Sequence, residues 1–284
     1  MTKLLTNAQG KVLLANNKAF LSPGEKYGCG IDNLLGDVDS SGVLQLPSEQ
    51  VNGLTFTGVK DISYRGLYYK FASCQNITGL VSFPDLEQIT GANAIYFAFE
   101  NSGITGVSCP KLTAVSNAQG YAFQGCTNLT SVSFPLLANI SSGYACNSWF
   151  GSCTSLTTIE FPELLGFAQY TYDGFYNIFN DCTSLTTVRF PKLTNLDANK
   201  CMEQAFNGCT SLENVYFNGL TTSSFGSSFK TQFTNLMRNT GDSTTHTLHF
   251  PSNLQSTIAT LSGYPLFGGT DGYVTLAFDL TATS

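Results

Sequence analysis

The chain has 284 residues, only 11 % of them charged, and a formal net charge of −6. A sparse, acidic surface does not attract a phosphate backbone, which excludes nucleic acid as a partner class. The 22 Phe and 13 Tyr supply ample apolar bulk for a core, and no run of about 18 apolar residues is present to insert into a membrane.

The opening, "MTKLLTNAQGKVLLANNKAF", has an early Lys3 but no apolar run of about 7–15 residues before Asn7 and Gln9, so it does not read as a classical secretory signal. Residues 1–47 lack any repeat, and the apolar alternation from Val12 to Leu14 fits a cap or attachment module. Next comes "GDVDSSGVLQLPSE", which places Asp37, Asp39, Ser41 and Gly42 at the spacing of the first half of an EF-hand calcium loop. Ser48 stands where that loop needs a bidentate glutamate, so an Asp/Ser/Gly turn is expected here. No metal and no cofactor is expected elsewhere either.

From about residue 48 the chain repeats itself. "LTFTGVKDI", "VSFPDLEQI", "VSCPKLTAV", "VSFPLLANI", "IEFPELLGF", "VRFPKLTNL", "VYFNGLTTS" and "LHFPSNLQS" are anchored on Phe56, Phe83, Cys109, Phe134, Phe161, Phe190, Phe217 and Phe250. The anchors are 27, 26, 25, 27, 29, 27 and 33 residues apart, the signature of eight coils of a solenoid. In Thr158-Ile159-Glu160-Phe161 the period of two turns Ile159 and Phe161 inward and Thr158 and Glu160 outward. Pro162 then ends the strand, because it has no N–H for the ladder and a fixed φ, at the place where the chain must turn a corner. Further apolar residues recur three places after the anchor (Leu86, Leu112, Leu137, Leu164, Leu193) and six places after it (Ile89, Val115, Ile140, Phe167, Leu196).

The other half of each coil repeats as "KFASCQNI", "AFENSGI", "AFQGCTNL", "WFGSCTSL", "IFNDCTSL" and "AFNGCTSL". Cys74, Cys126, Cys153, Cys182 and Cys209 share one repeat position, filled by Ser102 in the odd coil. One thiol per coil without any CxxC pair fits small buried free thiols rather than a metal site or a disulfide framework.

The composite pattern "AFxxCxxLxxVxFPxLxxI" resembles the BspA-like leucine-rich repeat family over roughly residues 50–255. The resemblance implies a leucine-rich repeat solenoid with one short parallel strand per coil forming a single curved sheet, and loops or short helical turns on the opposite face. It also implies binding rather than catalysis, often at a microbial surface. Residues 48–250 form the solenoid in this reading, with 1–47 and 251–284 as caps; "GYVTLAFDL" supplies a closing strand through Val274, Leu276, Phe278 and Leu280. The start also resembles the "TNxxGKVLxxNxKA" openings of phage tail-associated proteins, which implies contacts with other virion proteins through residues 1–47.

Chemistry-bearing motifs are scarce: there is no GxSxG, Walker loop, GxGxxG or HExxH. The two histidines, His246 and His249 in "STTHTLHF", have no cysteine or carboxylate at ligand spacing and read as surface residues. The outward strand position before each anchor is Thr55, Ser82, Ser108, Ser133, Glu160, Arg189, Tyr216 and His249 in turn. The last four are large, charged or aromatic and form the first candidate ligand-binding patch, although Glu160 and Arg189 on neighbouring strands also suit a plain cross-strand ion pair. A second candidate is the loop "GFAQYTYDGFYNIF", with Tyr170, Tyr172, Phe175 and Tyr176, which also suits aromatic packing on the convex side.

The functional expectation is a non-enzymatic binding or adhesion protein for a host-surface protein or glycan, at a cell surface or virion. The alternatives are a structural virion component without its own ligand, and an enzyme hidden in residues 1–47 or in the 33-residue coil before Phe250. The calcium-like spacing gives a direct test: if "DVDSSG" is a turn, calcium or a chelator leaves the melting temperature unchanged. A calcium-dependent rise of several degrees that Asp37→Ala removes would make it a metal site.

Overall fold

The computed structural model describes residues 14–15, 18–20, 51–56, 58–62, 64–167, 174–196, 201–224, 236–237, 245–259 and 274–281. Its strands are β1 (Leu14–Ala15), β2 (Lys18–Phe20), β3 (Val51–Thr55), β4 (Ile77–Ser82), β5 (Gln88–Ile89), β6 (Gly106–Ser108), β7 (Ala114–Val115) and β8 (Ser131–Ser133). They continue as β9 (Asn139–Ile140), β10 (Thr158–Glu160), β11 (Gly166–Phe167), β12 (Thr187–Arg189), β13 (Asn214–Tyr216), β14 (His246–Pro251) and β15 (Val274–Leu280).

The architecture is the expected parallel solenoid, of about seven turns. The strand just before each anchor pairs with its equivalent one coil away: β2, β3, β4, β6 and β8 on one side, and β10, β12, β13, β14 and β15 on the other. β1 joins the first group antiparallel to β2. After each Phe-Pro corner a two-residue strand builds a second parallel sheet, β5-β7-β9-β11. The glycine of β11 is obligatory there: Gly166 has φ of 150°, and a Cβ would lie 2.1 Å from the Asn195 carbonyl oxygen.

The third side of the coil, expected as loops or helical turns, is a ladder of tight turns. Residues with positive φ recur every fourth place, as at Arg65, Tyr69 and Ser73, or Asn93, Phe97 and Asn101. Between them, alternate N–H groups donate to the next coil, for example Leu67 to Ala94, Phe71 to Ala98 and Phe99 to Ala122. The place before the repeat cysteine is always left-handed, held by Ser73, Asn101, Gly125, Ser152, Asp181 and Gly208. These include the types that enter that region most readily, glycine, asparagine and aspartate, which explains "ENS", "QGC", "NDC" and "NGC" in the sequence.

The interior is built of columns that run along the solenoid. Phe71, Phe99, Phe123, Phe150, Phe179 and Phe206 stack ring on ring at 5.0, 5.7, 5.7, 5.8 and 5.7 Å. The cysteine column lies beside it and does more than fill space. Cys126, Cys153, Cys182 and Cys209 each donate S–H to the carbonyl of the core phenylalanine one coil back, at 3.0, 3.2, 2.9 and 3.0 Å. A thiol is small enough for the interior and supplies a second donor to this buried carbonyl, which also accepts the backbone N–H three residues on in its own coil. All eight described cysteines are buried thiols outside any disulfide. Burial pushes Cys74 and Cys126 up to about 11 and Cys182 up to about 12, so these thiols stay protonated and unreactive at neutral pH.

The anchor column is interrupted. Phe56 stacks on Phe83 at 4.4 Å, and Phe161, Phe190, Phe217 and Phe250 stack in series, but Cys109 takes the third anchor place and Phe134 turns away. The ring of Phe134 lies 5.9 Å from the Trp149 indole, whose N–H donates to the Gln119 carbonyl at 2.6 Å. Trp149 stands where three other coils carry Ala98, Ala122 and Ala205. It shares with Cys109 a small apolar cavity of about 10 Å³, also lined by Phe83, Phe99 and Phe123. A small anchor and a large neighbour have thus exchanged volume across the core. At the same place the strand ladder opens, because no register joins β8 to β10 among the described residues. The sheet expected to be single is therefore divided there, while β9 and β11 remain paired across the gap.

Three measurements test this core. Native protein should leave Cys126, Cys153, Cys182 and Cys209 unlabelled by a thiol reagent that modifies them all after denaturation. Cys182→Ser, which keeps a donor, should cost less than Cys182→Val, which leaves the Phe150 carbonyl with the Cys153 N–H alone and forfeits one net hydrogen bond of about 0.5–1.5 kcal/mol. For the exchanged pair, Trp149→Ala should cost about 3–5 kcal/mol. Cys109→Phe alone should cost about 1–3 kcal/mol through overpacking. The double variant in urea unfolding should be about 0.5–3 kcal/mol more stable than the sum of the two changes predicts. Strict additivity would refute the shared cavity.

Candidate functional site

The outward row before each anchor falls into two halves. Thr55, Ser82, Ser108 and Ser133 are in register across β3, β4, β6 and β8. Glu160, Arg189, Tyr216 and His249 are in register across β10, β12, β13 and β14. The break between β8 and β10 separates the hydroxyl-bearing half from the half with large side chains.

Parallel pairing places outward side chains of adjacent strands about 4.8 Å apart, close to the thickness at which flat groups stack. Arg189 uses this spacing: its guanidinium lies 4.0 Å above the Tyr216 ring. On the other side Tyr216 stacks on the His249 imidazole at 4.3 Å between centroids and 12° between planes. The ion pair open to Glu160 and Arg189 is not formed; Arg189 leans away from Glu160 onto Tyr216. Among the described residues no carboxylate or carbonyl engages the guanidinium, and Glu160 is likewise exposed without an ionic partner.

The histidines depart from the surface role expected of them. His249 is 12 % exposed at its side chain and is held on both nitrogens: Nδ1 is 2.9 Å from Asp279 Oδ2, and Nε2 is 2.9 Å from Asn214 Oδ1. His246 is fully buried, with Nδ1 against the Leu212 carbonyl, because the inward phase of β14 is set by Leu248 and Phe250. Asn214 and Asp279 were invisible as site residues in the sequence. Asp279 is the one charged outward residue in the alternation of "VTLAFDL", but only the parallel register of β14 and β15 brings it to His249.

Behind this row, Thr158, Thr187, Asn214, Thr247 and Thr275 form a second outward row in register. The surface therefore offers a guanidinium edge, a phenol, a carboxylate and a line of hydroxyls, while the ring faces of Tyr216 are covered on both sides.

Of the second candidate patch, Phe175 and Tyr176 are among the described residues. Tyr170 and Tyr172 lie outside the described residues. Phe175, named both as a candidate for that patch and for aromatic packing, is fully buried edge-on to Phe167 at 5.0 Å and tilted against Phe161 at 5.3 Å, because the turn ladder carries it into the core. Tyr176 is half-buried on the turn face. That face carries its aromatic group elsewhere: Tyr69, Phe97 and Tyr121 stack at 4.5 and 4.7 Å, with Tyr68 and Tyr96 alongside. Arg65 lies 4.8 Å over Tyr68. The sequence signal was there, since Tyr69, Phe97 and Tyr121 each stand two places before the core phenylalanine. Burial first, then neighbouring tyrosines, raises the phenols of Tyr69 and Tyr96 above their ordinary value.

The calcium-like residues Asp37, Asp39 and Ser41 lie outside the described residues. Among the described ones no group of three or more His, Cys, Asp or Glu side chains is arranged to hold a metal. No described helix is long and apolar enough to cross a membrane. Other surface charges pair along the corner after the anchor, Lys60 with Glu87 at 3.1 Å, Asp85 with Lys111 at 2.8 Å and Glu163 with Lys192 at 2.7 Å. The hydrogen bond from Lys111, and then one from the Gly58 N–H, lowers the Asp85 carboxyl. Such exposed pairs add little stability.

The profile of the BspA type leucine rich repeat region matches residues 67–178 and 146–249, with six copies. No curated protein sequence matches the chain. A solved structure of a leucine rich cell surface protein from Faecalibacterium prausnitzii A2-165 is similar at 13 % identity and a TM-score of 0.18, covering 88 % of this chain and 89 % of that one.

Proposed function

This chain belongs to the BspA-type leucine-rich repeat family, and from that premise we propose that it is a non-enzymatic binding protein that recognises a protein or glycan at a microbial surface through the outward face of β10, β12, β13 and β14. The observation that carries the reading is the Arg189–Tyr216–His249 stack. Three large polar side chains stand out from three consecutive strands, and none of them is needed to bury the core. Their ordering is already met in the free protein, since His249 is fixed by Asp279 and Asn214 and Tyr216 is held between its two neighbours. A ligand meeting this patch has little side-chain entropy left to remove, which favours binding.

A leucine-rich repeat solenoid of this family is typically a binding scaffold, and the described outward face offers recognition groups without a cleft that would exclude water from a reaction. In this reading residues 1–47 and 251–284 close the two ends of the solenoid. The tail-protein resemblance rests on residues 1–47, of which only β1 and β2 are described, and no observation favours a virion role.

Because the patch is exposed and the core lies beneath it, Arg189→Ala with Tyr216→Ala should keep the circular dichroism spectrum and the melting temperature close to wild type. The same double variant should weaken binding to host cells or to immobilised microbial envelope by at least about tenfold, roughly 1.4 kcal/mol, while Ser82→Ala with Ser108→Ala should not. Undiminished binding by the first variant, together with loss on changing Tyr69 and Tyr121, would move recognition to the turn face.

A further inference from the structure

We infer that the ligand of this face is a saccharide carrying an isolated carboxylate, taken by the outward edge of the Arg189 guanidinium. This rests on the proposed binding role and adds the chemical class.

Arg189 is exposed and, among the described residues, its donors meet no acceptor, although Glu160 stands beside it in register on the next strand. One guanidinium face is pinned on Tyr216 at 4.0 Å. A pinned guanidinium keeps its planar fork of N–H groups directed along its edge, which suits the two oxygens of a carboxylate better than a point contact does. The pinning is itself supported, since Tyr216 rests on His249 and His249 is held by Asp279 and Asn214. A lone arginine on an unsupported side chain would have to be ordered by the ligand; this one does not.

The surroundings select the rest of the ligand. Glu160 and Asp279 flank the stack on its two sides, so a polyanion would meet two carboxylates for each guanidinium. A single negative charge within an otherwise neutral ligand avoids that repulsion. The neighbouring outward row, Thr158, Thr187, Asn214 and Thr247, is hydroxyl and amide, and Glu160 can accept from hydroxyl groups. An acidic peptide would look for an apolar pocket to seat its anchor residues, whereas here the faces of Tyr216 are already covered. Hydroxyl-rich chemistry with one carboxylate is the complement of this surface.

The test titrates the full chain with two mono-acids, 3′-sialyllactose and methyl α-galacturonoside, their methyl esters, lactose, and an acetylated, amidated Gly-Asp-Gly peptide, followed by NMR and calorimetry. At least one of the two acids should bind with a Kd of about 1 mM or tighter, with its ester at least about tenfold weaker. Arg189→Lys, which keeps the charge but loses the fork, should weaken that acid at least about tenfold without changing the melting temperature. Equal binding of acid and ester, or an unaffected Arg189→Lys, would overturn the carboxylate. Binding of the peptide but of neither saccharide would assign the site to acidic protein segments instead. If neither acid binds, the inference fails; the cell-binding loss of the Arg189 and Tyr216 double variant then decides separately whether the face is the recognition surface.

Discussion

Every coil of this protein buries its apolar side only against the next coil, so the fold depends on equivalent residues meeting equivalent residues along the axis. The contact that enforces this is a rung of two parts, a phenylalanine ring stacked on the ring of the next coil and a thiol donating to the carbonyl of the coil before. Phe150 shows both at once: its ring lies 5.8 Å from Phe179, and its carbonyl accepts from Cys182 at 2.9 Å. Ring stacking alone would tolerate sliding. The directed S–H bond does not, since a slip of one residue would break it and leave the thiol without its acceptor and the carbonyl with its own coil's N–H alone. Register in the interior fixes register on the surface, and the outward side chains stand in rows because the inward ones do.

Those rows explain why the surface chemistry is of an unusual kind. Parallel strands bring large outward side chains to stacking distance, so flat groups cover each other instead of facing solvent. Tyr216 is the clearest case, with Arg189 on one face and His249 on the other. The aromatic content of the face is spent on holding the polar edges in place, and what solvent meets is donors and acceptors. The turn face repeats this with Tyr69, Phe97 and Tyr121. Aromatic residues on such a solenoid therefore do not by themselves mark an aromatic binding platform.

This also marks what could be read from the sequence and what could not. The coil length, the strand before each anchor, the Phe-Pro corner and the buried cysteine column all follow from local periodicity, and Thr158 to Pro162 contains most of that information in five residues. The outward row was legible for the same reason. Its contacts were not, because they depend on choices between neighbours that periodicity treats alike: Arg189 sits between Glu160 and Tyr216 and leans on the ring. The partnership of His249 with Asp279 spans 30 residues and passes through a register shift between His249 and Pro251 that no local pattern announces. Phe175 misled for a related reason, since an aromatic-rich loop looks exposed until the turn ladder is seen to carry every fourth residue inward or outward in a fixed phase.

The exchange of Cys109 and Trp149 shows how far a repeat tolerates departure from its own rule. Losing a phenylalanine from the anchor column removes a ring from a stack that runs the length of the core, and the vacancy is met not by the same coil or the next but by Trp149, two coils on. The indole reaches back to Phe134 and Phe123, and its N–H is satisfied by the Gln119 carbonyl. The interior is conserved in volume rather than in position. The outer ladder opens between β8 and β10 at this same level, which leaves the hydroxyl-bearing strands and the strands carrying Glu160, Arg189, Tyr216 and His249 as two separately registered surfaces. A solenoid is approximately a sum of nearest-neighbour interfaces, so one altered interface changes the surface locally without costing the rest of the stack its order. Recognition chemistry can then be concentrated on one half of the ladder while the other half remains a plain polar wall.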